Sequence, residues 1–193
     1  DAVKDIKLYK GGIPAQYGGR LSSVLDVKMK NGNDRKFSAS GGIGLISSRL
    51  TLEGPIKKEK GSFIVSGRRM YLDQFFRFAK EGSAVRKTKL NFFDLNAKAN
   101  YRINENNRIF FSAYQGRDGF GFSDSSVVDQ STGEKEVIEL FGLYYGNFTS
   151  TIRWNHILSD KLFVNTTGAM SKYNYRFGIG VAGFDLESSI RDF

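Results

Sequence analysis

The sequence predicts an all-β fold, an antiparallel barrel wall of about eight strands, and three observations carry that prediction. Apolar and polar residues alternate with a period of two over successive segments, which gives each segment one oily and one wet face. Tight polar turns recur between those segments. The chain also has 22 Gly, 17 Phe and 9 Tyr against 2 Pro and no Cys, a balance typical of barrels and other all-β architectures. Without Cys there is neither a disulfide framework nor a thiolate metal site. No apolar run approaches the ~20 residues a membrane-spanning helix needs. A transmembrane barrel escapes that criterion, because its strands need only ~10 residues of alternating character.

The first element is Ile6 to Met29, followed by the turn Asn31-Gly32-Asn33. It holds a short apolar strand, a Gly11-Gly12-Ile13-Pro14 turn, a second turn at Gly18-Gly19 and another alternating strand. Gly and Pro interrupt every possible helical turn, so the stretch reads as strand-turn-strand. The run Gly11-Gly12-Ile13-Pro14-Ala15-Gln16-Tyr17-Gly18-Gly19-Arg20-Leu21-Ser22-Ser23-Val24-Leu25-Asp26-Val27 resembles the end of the plug domain of TonB-dependent outer-membrane receptors of the Bacteroidetes type. The resemblance extends over nearly the whole chain and is also specific at Arg153-Trp154-Asn155-His156. It implies that residues 1–35 are the C-terminal part of a plug domain and residues 36–193 the first strands of a transmembrane β-barrel. In that family the plug lies inside a barrel of 22 strands. The chain is accordingly expected to be a fragment, with Asp1 to Asp5 reading as mid-domain sequence.

The wall begins at Phe37 to Leu45, where Phe37, Ala39, Ile43 and Leu45 alternate with Ser and Gly. Leu50, Leu52, Gly54 and Ile56 continue the pattern against Arg49, Thr51 and Glu53. After the charged turn Lys57 to Gly61, the segment Ser62 to Phe76 reads as a third strand. Its adjacent Arg68 and Arg69 must point to opposite faces. Arg77 to Leu90 is polar, without period, and reads as a loop. The clearest strand follows, with Phe93, Leu95, Ala97, Ala99 and Tyr101 on one face and Asp94, Asn96, Lys98, Asn100 and Arg102 on the other. Asn104 to Asn107 is a turn, Arg108 to Phe122 a strand, Ser123 to Glu139 a polar loop, and Leu140 to Leu158 a strand. Ser159-Asp160-Lys161 turns into Leu162 to Ile179, and after an apex at Gly180 to Phe184 the chain descends from Asp185 to Phe193. Short turns thus alternate with longer connections, as in outer-membrane barrels, whose short turns face the periplasm.

Candidate sites are few. Trp154, on the apolar face near a short turn, is expected in an inner aromatic girdle, and Tyr114, Tyr173 and Tyr175, toward the other strand ends, in an outer one. His156 is the sole histidine, so no His cluster forms, and a structural interfacial role is expected. Gly42-Ile43-Gly44 and Gly119-Phe120-Gly121 fall short of a dinucleotide fingerprint. The acidic set Asp118, Asp124, Asp129, Glu134, Glu136 and Glu139 matches no calcium-loop spacing and reads as a solvated loop, so no metal or cofactor is expected. No catalytic residues are expected either, since no nucleophile elbow occurs. The basic cluster Arg77, Lys80, Arg86, Lys87 and Lys89 is expected to meet lipopolysaccharide phosphates or an anionic ligand. A net charge of +9 is spread along the chain without a nucleic-acid motif, so no nucleic-acid partner is expected.

The resemblance implies a receptor in the outer membrane of a Gram-negative bacterium that imports a scarce solute, energised by the TonB-ExbB-ExbD complex through a part of the chain not present here. It implies substrate contacts from plug apices, hence Gln16, Tyr17 and Arg20. Glycan importers paired with a lipoprotein lid usually carry an Ala-rich run where this chain has Pro14 to Leu21, so a glycan is not implied. Two other readings fit the alternation. One is a self-contained eight-stranded barrel, passive or structural. The other is a soluble all-β binding domain.

Overall fold

The computed structural model describes residues 3–17, 22–76, 78–79, 88–128, 135–181 and 184–191. The chain is all-β and forms two antiparallel sheets. The first pairs β1 (Val3–Tyr9) with β2 (Val24–Met29), in register from Tyr9 opposite Val24 to Asp5 opposite Lys28, with an irregularity before Val3 meets Met29. Between them the Gly-Gly-Ile-Pro segment turns tightly, with Gly12 left-handed at φ 60°. A single 3-10 turn over Ala15–Tyr17 follows, closed by Tyr17 N donating to Pro14 O at 2.9 Å.

The second sheet is a meander of eight strands in chain order. These are β3 (Ser38–Ile43), β4 (Ser47–Lys57), β5 (Gly61–Met70), β6 (Thr88–Asn104), β7 (Asn107–Val128), β8 (Lys135–Ser159), β9 (Leu162–Val181) and β10 (Phe184–Arg191). Each pairs with its neighbours in sequence, which leaves β3 and β10 at opposite ends of the strand order. The strand count and all three short turns agree with the alternation. Turn chemistry sets those turns: the Asn104 side chain accepts from Asn106 N and Asn107 Nδ2, and Ser159 Oγ accepts from Lys161 N.

Two expected boundaries are corrected. The strand expected to reach Phe76 stops at Met70, and a one-turn helix, α1 (Leu72–Phe76), follows it. Met70 is opposite Ser47, the first residue of β4; Tyr71 N still donates to Ile46 O at 2.9 Å, and the chain then leaves the edge of β6, which continues to Thr88, and turns into α1. The loop expected over Ser123 to Glu139 is mostly strand. β7 and β8 continue past the last rungs of β6 and β9, at Phe122 and Gly142, and pair with each other as far as Val128 opposite Lys135. A backbone partner outweighs the weak strand propensity of Ser and Asp. Of the connections at that end only 71–87 is long, and β6 to β9 run 17 to 25 residues, well beyond the ~10 a bilayer requires.

Register decides what each face carries. On one face Leu95, Ala97, Ala99 and Tyr101 of β6 adjoin Gly67, Val65, Phe63 and Gly61 of β5. On their other side they meet Gln115, Ala113, Phe111 and Ile109 of β7, then Phe148, Ser150, Ile152 and Trp154 of β8. The opposite face of the same rungs carries Asn96, Lys98, Asn100, Ser112, Thr151 and Arg153. The apolar face is open: Leu95 is 37%, Phe111 43% and Ile152 55% exposed. The polar face is covered at Ser62 and Asn100, each 2% exposed, while Lys98, Ser112, Thr151 and Arg153 are half-buried. Among the described residues Ile64, at 1%, is the one large apolar side chain in the core, and it lies on the polar face. The accessible surface is 14111 Å². A folded soluble monomer of 21.7 kDa exposes about 9,200 Å².

Candidate functional site

The covering of the polar face is local, and the linker between the two sheets provides it. Asn31 O accepts from Ser62 Oγ at 2.5 Å and from Asn100 Nδ2 at 3.1 Å, while Lys98 Nζ donates to Met29 O at 2.9 Å. Further along, Glu59 N donates to Asp34 O at 3.0 Å, fixing the linker to the β4–β5 turn. Asn33 Oδ1 accepts from Arg35 N and Lys36 N, an Asx turn that directs the chain into β3. Gly32 makes this approach possible. It is left-handed at φ 79°, and a Cβ there would collide with the Phe63 carbonyl oxygen. Asn100 is the hub: Nδ2 also donates to Ser62 Oγ at 2.7 Å, and Oδ1 accepts from Arg108 Nη2 at 2.6 Å.

Beside these contacts a cavity of about 650 Å³ separates the β1–β2 hairpin from the polar wall. The hairpin and linker contribute Lys4, Tyr17, Asp26 and Lys28, and the wall contributes Lys98, Ser112, Thr151 and Arg153. Tyr17 Oη donates to Asp26 Oδ2 at 3.1 Å. The guanidinium groups of Arg153 and Arg108 lie over the Phe110 ring at 4.5 and 5.1 Å. Farther toward the long connection, Arg68 pairs with Asp94 at 3.0 Å and lies over Phe92. Its neighbour Arg69 is on the apolar face, as the parity of adjacent residues requires.

Of the expected plug contacts, Tyr17 lines the cavity, whereas the Gln16 side chain and Arg20 lie outside the described residues. Trp154 is on the apolar face beside a short turn. Its Nε1 donates to Asn107 Oδ1 at 2.9 Å, and the His156 ring contacts the same oxygen.

The outer girdle is corrected by parity. Tyr114 is opposite Asn96 and Thr149, Tyr173 opposite Asn147, and Tyr175 opposite Tyr145, all on the polar face and therefore turned away from Trp154. Of the basic cluster only Lys89 is described, exposed on the apolar side opposite Gly121; Arg77, Lys80, Arg86 and Lys87 lie outside the described residues. In the acidic set only Asp118 has a described side chain, and no metal-binding group occurs among the described residues.

Sequence reasoning missed Lys98, Asn100, Ser62 and Arg153 as a functional group. The polar side of the clearest strand and the Asn31-Gly32-Asn33 turn were visible signals, but their meeting across 69 positions was not. In comparisons with known proteins, no family model matches the chain, and no curated protein or solved structure matches it significantly.

Proposed function

We propose that this chain is the end of a plug domain and the first wall strands of a TonB-dependent outer-membrane receptor that binds and imports a scarce solute. One observation carries the reading: the sheet is inverted relative to a soluble protein. Its apolar rows are open to the surroundings, and its polar face is buried where the preceding segment of the same chain lies on it, at Ser62 and Asn100. Oil outward and water inward, with a domain lodged on the wet side, is the arrangement of a plugged transmembrane barrel. In this reading Trp154, His156 and Asn107 sit at the inner membrane interface, where an indole ring with a satisfied N–H is favoured. The linker anchors the plug to the wall, and energy transduced from the inner membrane would move the plug while that anchor holds.

The chain has no cysteine, so single substitutions to Cys report one position each. In outer membranes, I152C and F111C are expected to resist a water-soluble maleimide and to react only in denaturant, whereas S112C and T167C react in the native state. Equal labelling of the two sets, or recovery of the unmodified protein in the aqueous fraction without detergent, defeats the proposal.

A further inference from the structure

From the cavity between the β1–β2 hairpin and the polar wall we infer a binding site for a small oxyanion of two or more negative charges, a phosphate or polycarboxylate, that bridges plug tail and wall. Four cationic side chains line the cavity, Lys4 and Lys28 from the hairpin and Lys98 and Arg153 from the wall. Against them stands one described carboxylate, Asp26, with one oxygen already engaged by Tyr17. Gathering four like charges around a common volume is unfavourable unless an anion or water screens them. The wall side is also held in place rather than free to swing away. Lys98 is anchored on Met29 O, and Arg153 is stacked on Phe110 with its Nε buried and without a hydrogen-bond partner. A guanidinium binds a carboxylate or phosphate as a fork, through two of its N–H groups at once. Hydroxyls of Ser112, Thr151 and Thr167 add neutral donors on adjacent rungs. Because the cations come from both sides of the cavity, an anion there neutralises plug and wall together. It would therefore tighten the same junction that Asn31 and Met29 make through the backbone.

This inference stands on the cavity and not on the transport reading, and the test keeps the two apart. Inorganic phosphate and citrate are titrated by calorimetry into the purified full-length protein in detergent micelles at low ionic strength. Saturable binding of at least one is expected. K98Q and R153Q should each weaken it about tenfold or more, as loss of one charged partner does, and K161Q, in a turn outside the cavity, should leave it unchanged. R153K keeps the charge without the fork and is expected to fall between wild type and R153Q, which separates binding from a folding defect. The bound anion should also slow tryptic cleavage at Lys28 and Lys30. No saturable heat with either anion, or equal binding by wild type, K98Q and R153Q, overturns the inference even if the protein proves to be a transporter.

Discussion

The two faces of the wall near its short turns are made by the same strands, yet they obey opposite rules. Around Lys98 and Asn100 the polar side is packed, hydrogen-bonded to a segment 69 residues earlier in the chain, and nearly free of solvent at Asn100. One residue away in either direction, Ala97, Ala99 and Tyr101 form part of a continuous apolar surface that no described element covers. In a soluble protein the assignment would be reversed, because burial of apolar area is the main source of stability. On the proposed reading the apolar side contributes stability when lipid takes it out of water. The polar side supplies specificity through directed bonds to one particular segment. The difference teaches that the two faces of one sheet can be held to different partners, and the polar face identifies the internal one.

The sharpest way to break the comparison is a charge on the open face. A113R is expected to lower stability in phospholipid vesicles by about 2–4 kcal/mol, the cost of Arg facing lipid near the bilayer centre, since Ala113 is on the open face well along β7 from Ile109, the partner of Trp154. S112R, one residue away on the wet face, should cost much less. Urea titration of the vesicle-refolded protein measures both. If Ala113 faces water instead, its substitution changes stability by no more than about 0.5 kcal/mol, as is usual for exposed sites.

A smaller effect is expected from the hub of the packed face. N100A removes the donor shared by Asn31 O and Ser62 and leaves Arg108 without its acceptor, at a cost of about 1–3 kcal/mol. The linker should loosen before the wall does, so tryptic cleavage at Lys28 and Lys30 should accelerate while strand content by circular dichroism stays constant. Unaltered cleavage would mean that the linker is held by something other than these bonds.

The smallest effect sharpens the interfacial cluster. W154F keeps the ring and loses the N–H donated to Asn107, for an expected loss of about 0.5–1.5 kcal/mol. Y114F, on the polar face, should leave membrane insertion unchanged. A large insertion defect in Y114F would restore it to a girdle and contradict the strand register.

The sequence by itself determined the local facts. Eight strands, three tight turns, the opposite pointing of Arg68 and Arg69 and the two-faced character of β6 are all written in neighbouring residues, because side-chain direction in a strand depends only on parity. Only the tertiary structure decided where strands end and what lies on them. β5 leaves the sheet after Met70, level with the start of β4 though β6 continues to Thr88, and β7 and β8 persist to Val128 and Lys135 because each finds the other. Tyr114, Tyr173 and Tyr175 have the position along their strands that a girdle needs but the wrong parity, and the strand register counted from Trp154 makes that plain. The meeting of Met29 and Asn31 with Lys98 and Asn100 leaves no trace in local pattern, since a hydrogen bond to a backbone carbonyl asks only for proximity and any residue can supply the oxygen.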